Sequence, residues 1–134
     1  MRLVFLILAL AACTETEEER FDYLWSGAGK YCGGGSSGTS YEDVTDVVAC
    51  MNDALAIRQR AYLVRSTPDS SMYDTYTYYF AVDHQVLVWT YRGATEYSNE
   101  PSAHQTMTCT GMRVGVSPVT NGAFAELVGC VATN

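Results

Sequence analysis

The side chains of this 134-residue chain that could do chemistry are few, and each comes with a demanding geometric requirement. Ser36 sits at the centre of Gly34-Gly35-Ser36-Ser37-Gly38, a literal G-x-S-x-G, the spacing of a serine nucleophile in acyl transfer. That motif works when a strand-to-helix turn pushes the serine out at the edge of a large α/β sheet. Here it lies in a Gly/Ser run with too few residues after it for such a fold, so the expected role is the approach to a helix. His84 and His104 are the only side chains that titrate near neutrality when unperturbed. A general acid/base role would need a carboxylate such as Asp83 or Glu100 within hydrogen-bond reach. The simpler expectation is a polar turn at Asp83-His84 and a strand opening at His104. Five cysteines and two histidines without a C-x-x-C make a poor zinc set, so neither metal nor cofactor is expected.

The odd cysteine is Cys13, and its surroundings define an address. Met1-Arg2 is followed by the apolar run Leu3 to Leu10 and by small Ala11 and Ala12, the layout of a secretory signal. The run is about half the roughly 20 residues a membrane-spanning helix needs. Leu10-Ala11-Ala12-Cys13 resembles the lipobox of bacterial lipoproteins. The resemblance implies removal of residues 1–12 and diacylation of Cys13, and Thr14 in second place implies the outer membrane of a Gram-negative host. Residues 13–20 carry four glutamates, one arginine and no further apolar side chain, and are expected to form a solvated tether reaching about 25 Å at most. The membrane, reached through the lipid on Cys13, is then one partner. The formal charge of −7 argues against nucleic acid.

The elements that must position everything else lie in residues 21–134, read as one domain. An exported address makes Cys32, Cys50, Cys109 and Cys130 disulfide candidates, with three connectivities open. Sequence proximity favours Cys32 with Cys50 and Cys109 with Cys130. Val44, Val47, Val48, Met51 and Leu55 recur at helical spacing within residues 37–60, with Thr39/Glu42 or Ser40/Asp43 as N-terminal caps and Arg58 and Arg60 in the last turn. Beyond the helix the period becomes two. Residues 61–66 read as a strand, Pro68-Asp69-Ser70 as a turn, and residues 72–92 as a hairpin about Asp83-His84. A two-residue turn there pairs Phe80 with Leu87, Tyr78 with Trp89 and Tyr76 with Tyr91 on one face. Ala81 with Val86, Tyr79 with Val88 and Thr77 with Thr90 fall on the other. Asp-His is not a favoured pair for such a turn, so a four-residue loop stays open. Residues 93–103 read as a loop. Three late strands follow, the last two joined at Asn121-Gly122. A tight hairpin at that point would set Cys130 opposite Arg113, too far from Cys109 for a disulfide unless the chain bends near Gly111 or the pairing differs.

The expected fold is therefore α+β, one N-terminal amphipathic helix packed on an antiparallel sheet of four to six strands in two layers. Cys32-Gly33, a mid-helix Cys50, Asp69-Ser70 before a hairpin spanning Tyr79 to Tyr91, and two late cysteines resemble a group of small lipoproteins of myxobacterial type. The resemblance spans about residues 32–130 and implies a disulfide-bonded α+β domain with no activity attached. One helix can cover only one face of the hairpin, so the other, with Tyr73, Thr77, Tyr79 and Val88, is a candidate contact surface for a protein partner. The expected function is a lipid-anchored, non-enzymatic binding or structural module of the cell envelope. The alternatives are an inhibitor of an exported enzyme and a small hydrolase using Ser36 or a histidine.

Overall fold

The structure, a computed structural model of the chain, describes residues 14–36, 43–70, 73–94 and 102–133. The expected tether is the first departure. From Glu17 to Ser26 the chain forms an α-helix, α1. Thr16 caps it: the Thr16 hydroxyl accepts from Glu19 N at 3.2 Å and the Glu19 carboxylate accepts from Thr16 N at 3.0 Å, a reciprocal capping box. Glu17, Glu18 and Glu19 occupy the first turn, where the helix's positive end favours them. Phe21 and Leu24 point inward and are buried. The acidic run is thus the start of a docked helix, and the packed body begins before residue 21.

After α1, strand β1 (Lys30–Ser36) leads to helix α2 (Val44–Ala56) and back to strand β2 (Ala61–Ser70), which pairs parallel to β1. α2 is the helix expected from the valine spacing, shorter at both ends. Asp43 caps it, accepting from Thr45 N at 2.9 Å, whereas the expected cap residues 39–42 lie outside the described residues. Its C-terminus closes before Arg58 and Arg60. Arg58 adopts a left-handed φ of 55°, and Gln59 N donates to Ala54 O at 2.9 Å, the bond of a Schellman cap.

β2 does not turn at Pro68; it stays paired through Ser70 with β3 (Tyr73–Val82), apart from one irregularity. β3 and β4 (Gln85–Ala94) form the expected hairpin in the expected register, Phe80 opposite Leu87, Tyr78 opposite Trp89 and Tyr79 opposite Val88. The two-residue turn is realised by an unfavoured pair, with φ of 46° at Asp83 and 66° at His84. His84 offsets that cost by bonding elsewhere. Its Nδ1 lies 2.7 Å from Leu55 O and its Nε2 accepts from Arg58 Nε at 2.6 Å, tying the turn to the end of α2. Both contacts together require the neutral ring with its proton on Nδ1.

β5 (Ser102–Cys109) pairs with β4, and the short β8 (Val131–Ala132) pairs with β5, completing a six-stranded sheet of order β1-β2-β3-β4-β5-β8. Between them, β6 (Gly111–Val116) and β7 (Ala123–Val128) leave as a separate two-stranded hairpin. Its loop is residues 117–122, longer than Asn121-Gly122 alone. The extra length shifts the register so that Gly111 faces Val128 and Arg113 faces Glu126. Each pair sums to 239, and so do 109 and 130. The longer loop thereby aligns Cys130 with Cys109, the chain bends at Thr110 and at Gly129 where the hairpin leaves the main sheet, and the two Cα atoms are 4.0 Å apart. Cys32 sits at a bulge between Tyr31 and Gly33 and meets Cys50 of α2 with Cα atoms 5.6 Å apart. Both cysteine pairs are at disulfide distance.

The fold class is α+β with a mostly antiparallel sheet, but in three layers. On one face lie α2 and the β6–β7 hairpin, with Val48, Met51, Leu55, Leu63, Val86, Val88 and Met112 in the core. On the other lies α1, whose Phe21 contacts Tyr78, Phe80, Trp89 and Tyr91 at ring separations of 5.0 to 6.0 Å. Both aromatic and aliphatic faces of the central hairpin are therefore covered. α1 also seals a sheet edge. The Glu18 carboxylate accepts from Ala103 N at 3.2 Å and Glu17 from Gln105 N at 2.8 Å, capping outward amides of β5 where β8 does not reach. No helix among the described residues is long and apolar enough to cross a membrane.

Candidate functional site

The β6–β7 hairpin is fixed at its base and lifts away at its tip. At the base, Asn52 of α2 treats Met112 as a strand neighbour would: its Nδ2 donates to Met112 O at 2.8 Å and its Oδ1 accepts from Met112 N at 3.2 Å. Toward the loop 117–122 a cleft of about 650 Å³ lies between hairpin and sheet. That size is in the range of small-molecule sites. Its floor is Leu63 and Tyr79 of β2 and β3, one wall is Val44 and Val47 of α2, and the roof is Pro118, Ala123, Phe124 and Ala125. The Phe124 ring lies across Gly115, its cross-strand partner, where a Cβ would come within 2.8 Å of it.

The polar groups at the cleft are of one kind. Arg65, Tyr79, Ser117 and Thr120 line it, and none of the described lining residues is acidic, in a chain with 15 acidic against 8 basic residues. Ser117 and Thr120 spend their oxygen lone pairs on the loop itself. Ser117 Oγ accepts from Val119 N and Thr120 N, and Thr120 Oγ1 accepts from Gly122 N, all at 3.3 Å. Each hydroxyl keeps its hydrogen to donate. Three acids are one residue from the lining, Asp43 beside Val44, Asp46 beside Val47 and Glu126 beside Ala125; Glu126 is paired with Arg113 at 2.6 Å, and that hydrogen bond draws its carboxyl below its ordinary range. On the opposite face of the sheet the Tyr78 phenol is pushed up, first by burial and then by the neighbouring Tyr76, Tyr91 and Tyr62.

The residues singled out by sequence do not converge. Ser36 ends β1, its backbone paired with Ser66, in a strand and not at a strand-to-helix elbow. His84 is engaged by Leu55 and Arg58, and its neighbour Asp83 is an exposed turn residue. His104 is exposed on β5 opposite Thr90, and Glu100 and Cys13 lie outside the described residues. The four residues of the expected contact surface fall in different surroundings. Val88 is 4% exposed beneath α2 and presents no outer surface, and Tyr79 is part of the cleft floor. Thr77 is half-buried in the sheet, and Tyr73 opens β3 opposite Ala94. Among the described residues no cluster of three or more His, Cys, Asp or Glu could hold a metal ion.

The cleft residues that sequence reasoning passed over, Val44, Leu63, Phe124 and Ala125, come from three elements whose meeting depends on a non-local hairpin register. The one legible signal was Ser117-Pro118 ahead of Asn121-Gly122, which marks a loop longer than a tight turn. The chain matches no protein-family model, no curated protein and no solved structure.

Proposed function

We propose that this protein is an exported, lipid-anchored binding module of the cell envelope, with no catalytic role, whose ligand enters the cleft beneath the β6–β7 hairpin. The observation that carries this reading is the cleft itself: a largely apolar space of about 650 Å³ left open between the β6–β7 hairpin, α2 and the sheet. Export and anchoring at Cys13 rest on Leu10-Ala11-Ala12-Cys13 and agree with two cysteine pairs at disulfide distance. The choice of binding over hydrolysis follows from the lining, a guanidinium and hydroxyl donors on aliphatic walls, with His84 engaged elsewhere.

Site-specific photocrosslinking in the producing cell tests the reading. A benzophenone amino acid replaces Thr120 at the rim, or Ile57, 70% exposed at the opposite end of α2. Across the 13 residues of that helix the two ends are about 20 Å apart. A discrete adduct from position 120 and none from 57 is expected. Equal labelling at both positions, or none at 120, removes the cleft from consideration.

A further inference from the structure

The cleft borders the free edge of a strand, and that edge indicates what enters it. Ser117 N donates to Gly122 O at 2.9 Å, so a ladder bond joins this pair and, by antiparallel alternation, the bonded pairs that follow are Gly115 with Phe124, Arg113 with Glu126 and Gly111 with Val128. The residues between them turn their backbone N–H and C=O groups away from the partner strand. Met112 displays this orientation, since both of its groups meet the Asn52 amide outside the ladder. On β7 the outward residues include Ala123 and Ala125. The β6–β7 sheet has two strands only, and no described residue supplies a bond to the outward groups of either alanine. Ala123 and Ala125 project from one face of the hairpin and Phe124 from the other, yet all three line the cleft, while of β6 only Met112 does. A space touched by both faces of β7 lies along its outer edge.

Other edges of the molecule are closed or distorted. Glu17 and Glu18 accept from outward amides of β5, Asn52 serves Met112, and β1 carries a bulge. At Ala123 and Ala125 neither proline nor lysine guards the strand, and the small side chains let a second backbone approach. From these features we infer that the cleft takes an extended segment of a partner protein, which adds to β7 as a strand by bonding the backbone of Ala123 and Ala125. The edge between those residues spans about 7 Å, so about three to five residues of the segment engage it. Their apolar side chains meet Val44, Val47 and Leu63. Arg65 has a partner of its own and is not required. Asp43 and Asp46 beside the lining, in a chain of net charge −7, favour a segment flanked by Lys or Arg over one flanked by acids. This inference rests on the cleft being the ligand site, and adds the class of partner.

The test pans a random heptapeptide library, displayed on phage, against the oxidised full chain carrying Cys13→Ser, which cannot be acylated. The strongest binder is resynthesised as the probe for isothermal titration and amide exchange. Expected are apolar residues at alternate positions with Lys or Arg at the ends, one site per chain, and exchange at Ala123 and Ala125 at least about tenfold slower in the complex. Methylating one alternate set of probe amides should weaken binding about fivefold per bond lost, and methylating the other set should not. Ala125→Pro removes an outward donor and spares the ladder bonds to β6, so affinity should fall at least about tenfold while the far-ultraviolet spectrum stays that of the parent. Ala123→Pro, at the first residue of β7, makes the same test should the other variant fail to fold. Binders indifferent to the proline variants, or methylation effects without alternation, overturn the inference. If panning enriches no peptide but the Thr120 position still crosslinks in cells, the partner class is wrong and the site stands. A dimer of the chain that Ala125→Pro disperses likewise overturns it, because a second copy then takes the edge.

Discussion

The clamp between Asn52 and Met112 is the contact on which the shape of the cleft most depends, and Asn52→Leu removes it while keeping the side chain's volume. The wild-type amide makes two hydrogen bonds, at 2.8 and 3.2 Å, to the backbone of a residue that is 5% exposed. Each such bond is worth about 1 kcal/mol net, and leaving the Met112 N–H and C=O without partners adds a desolvation cost of about 1–3 kcal/mol. Partial access of water to the site limits the total, so the expected loss is about 2–3 kcal/mol. For a chain of this length that corresponds to a fall in Tm of roughly 6–15 °C. Urea denaturation gives the free energy, and amide hydrogen exchange locates it. Exchange at Met112 should accelerate at least about tenfold while Phe80 and Trp89, in the central hairpin, stay protected. A variant within about 0.5 kcal/mol of the parent, with Met112 exchange unchanged, would show that the hairpin base is held by other contacts and that the account of the cleft is mistaken.

Three further outcomes follow from the same structure. Phe21→Ala deletes a ring in contact with four other aromatic side chains and should cost about 3–5 kcal/mol in denaturation experiments; a loss below about 1 kcal/mol would mean that α1 is not docked. Glu17→Ala combined with Glu18→Ala uncaps β5, so the amides of Ala103 and Gln105 should exchange at least about tenfold faster, whereas unchanged exchange would assign their protection to another group. The Tyr78 phenol, raised by burial and then by Tyr76, Tyr91 and Tyr62, binds its proton more tightly folded than unfolded. Its contribution to stability is complete below pH 10 and is lost as pH rises through the folded-state value, so Tyr78→Phe should flatten that alkaline decline; parallel curves for parent and variant would contradict the shift.

The parts of the fold that sequence made legible are those governed by local periodicity. The valine stripe of α2 and the strict alternation of β3 and β4 leave one face choice each, and a two-residue turn then sets every cross-strand pair from Tyr76–Tyr91 to Ala81–Val86. α1 was obscured because four glutamates and an arginine within residues 14–20 read as solvated, and only Phe21 and Leu24 among the helix's ten residues are buried. A helix so short gains its stability from docking, which no window of sequence contains. The signal that did exist was Thr16-Glu17-Glu18-Glu19, a capping box. β1 was obscured by Gly33, Gly34 and Gly35, which have no side chains to display a strand period. For the late hairpin, the strands were visible and the loop length was not. Those four additional residues decide both the meeting of Cys109 with Cys130 and the lift of the hairpin tip that forms the cleft.

The account as a whole depends on the chain being exported, acylated at Cys13 and oxidised, and intact mass spectrometry of the protein recovered from membranes tests those three properties together. The predicted species lacks residues 1–12, carries acyl mass on Cys13 and is four hydrogens lighter than the reduced chain, one pair for each of the two disulfides. A soluble, full-length product with all five thiols free would contradict it.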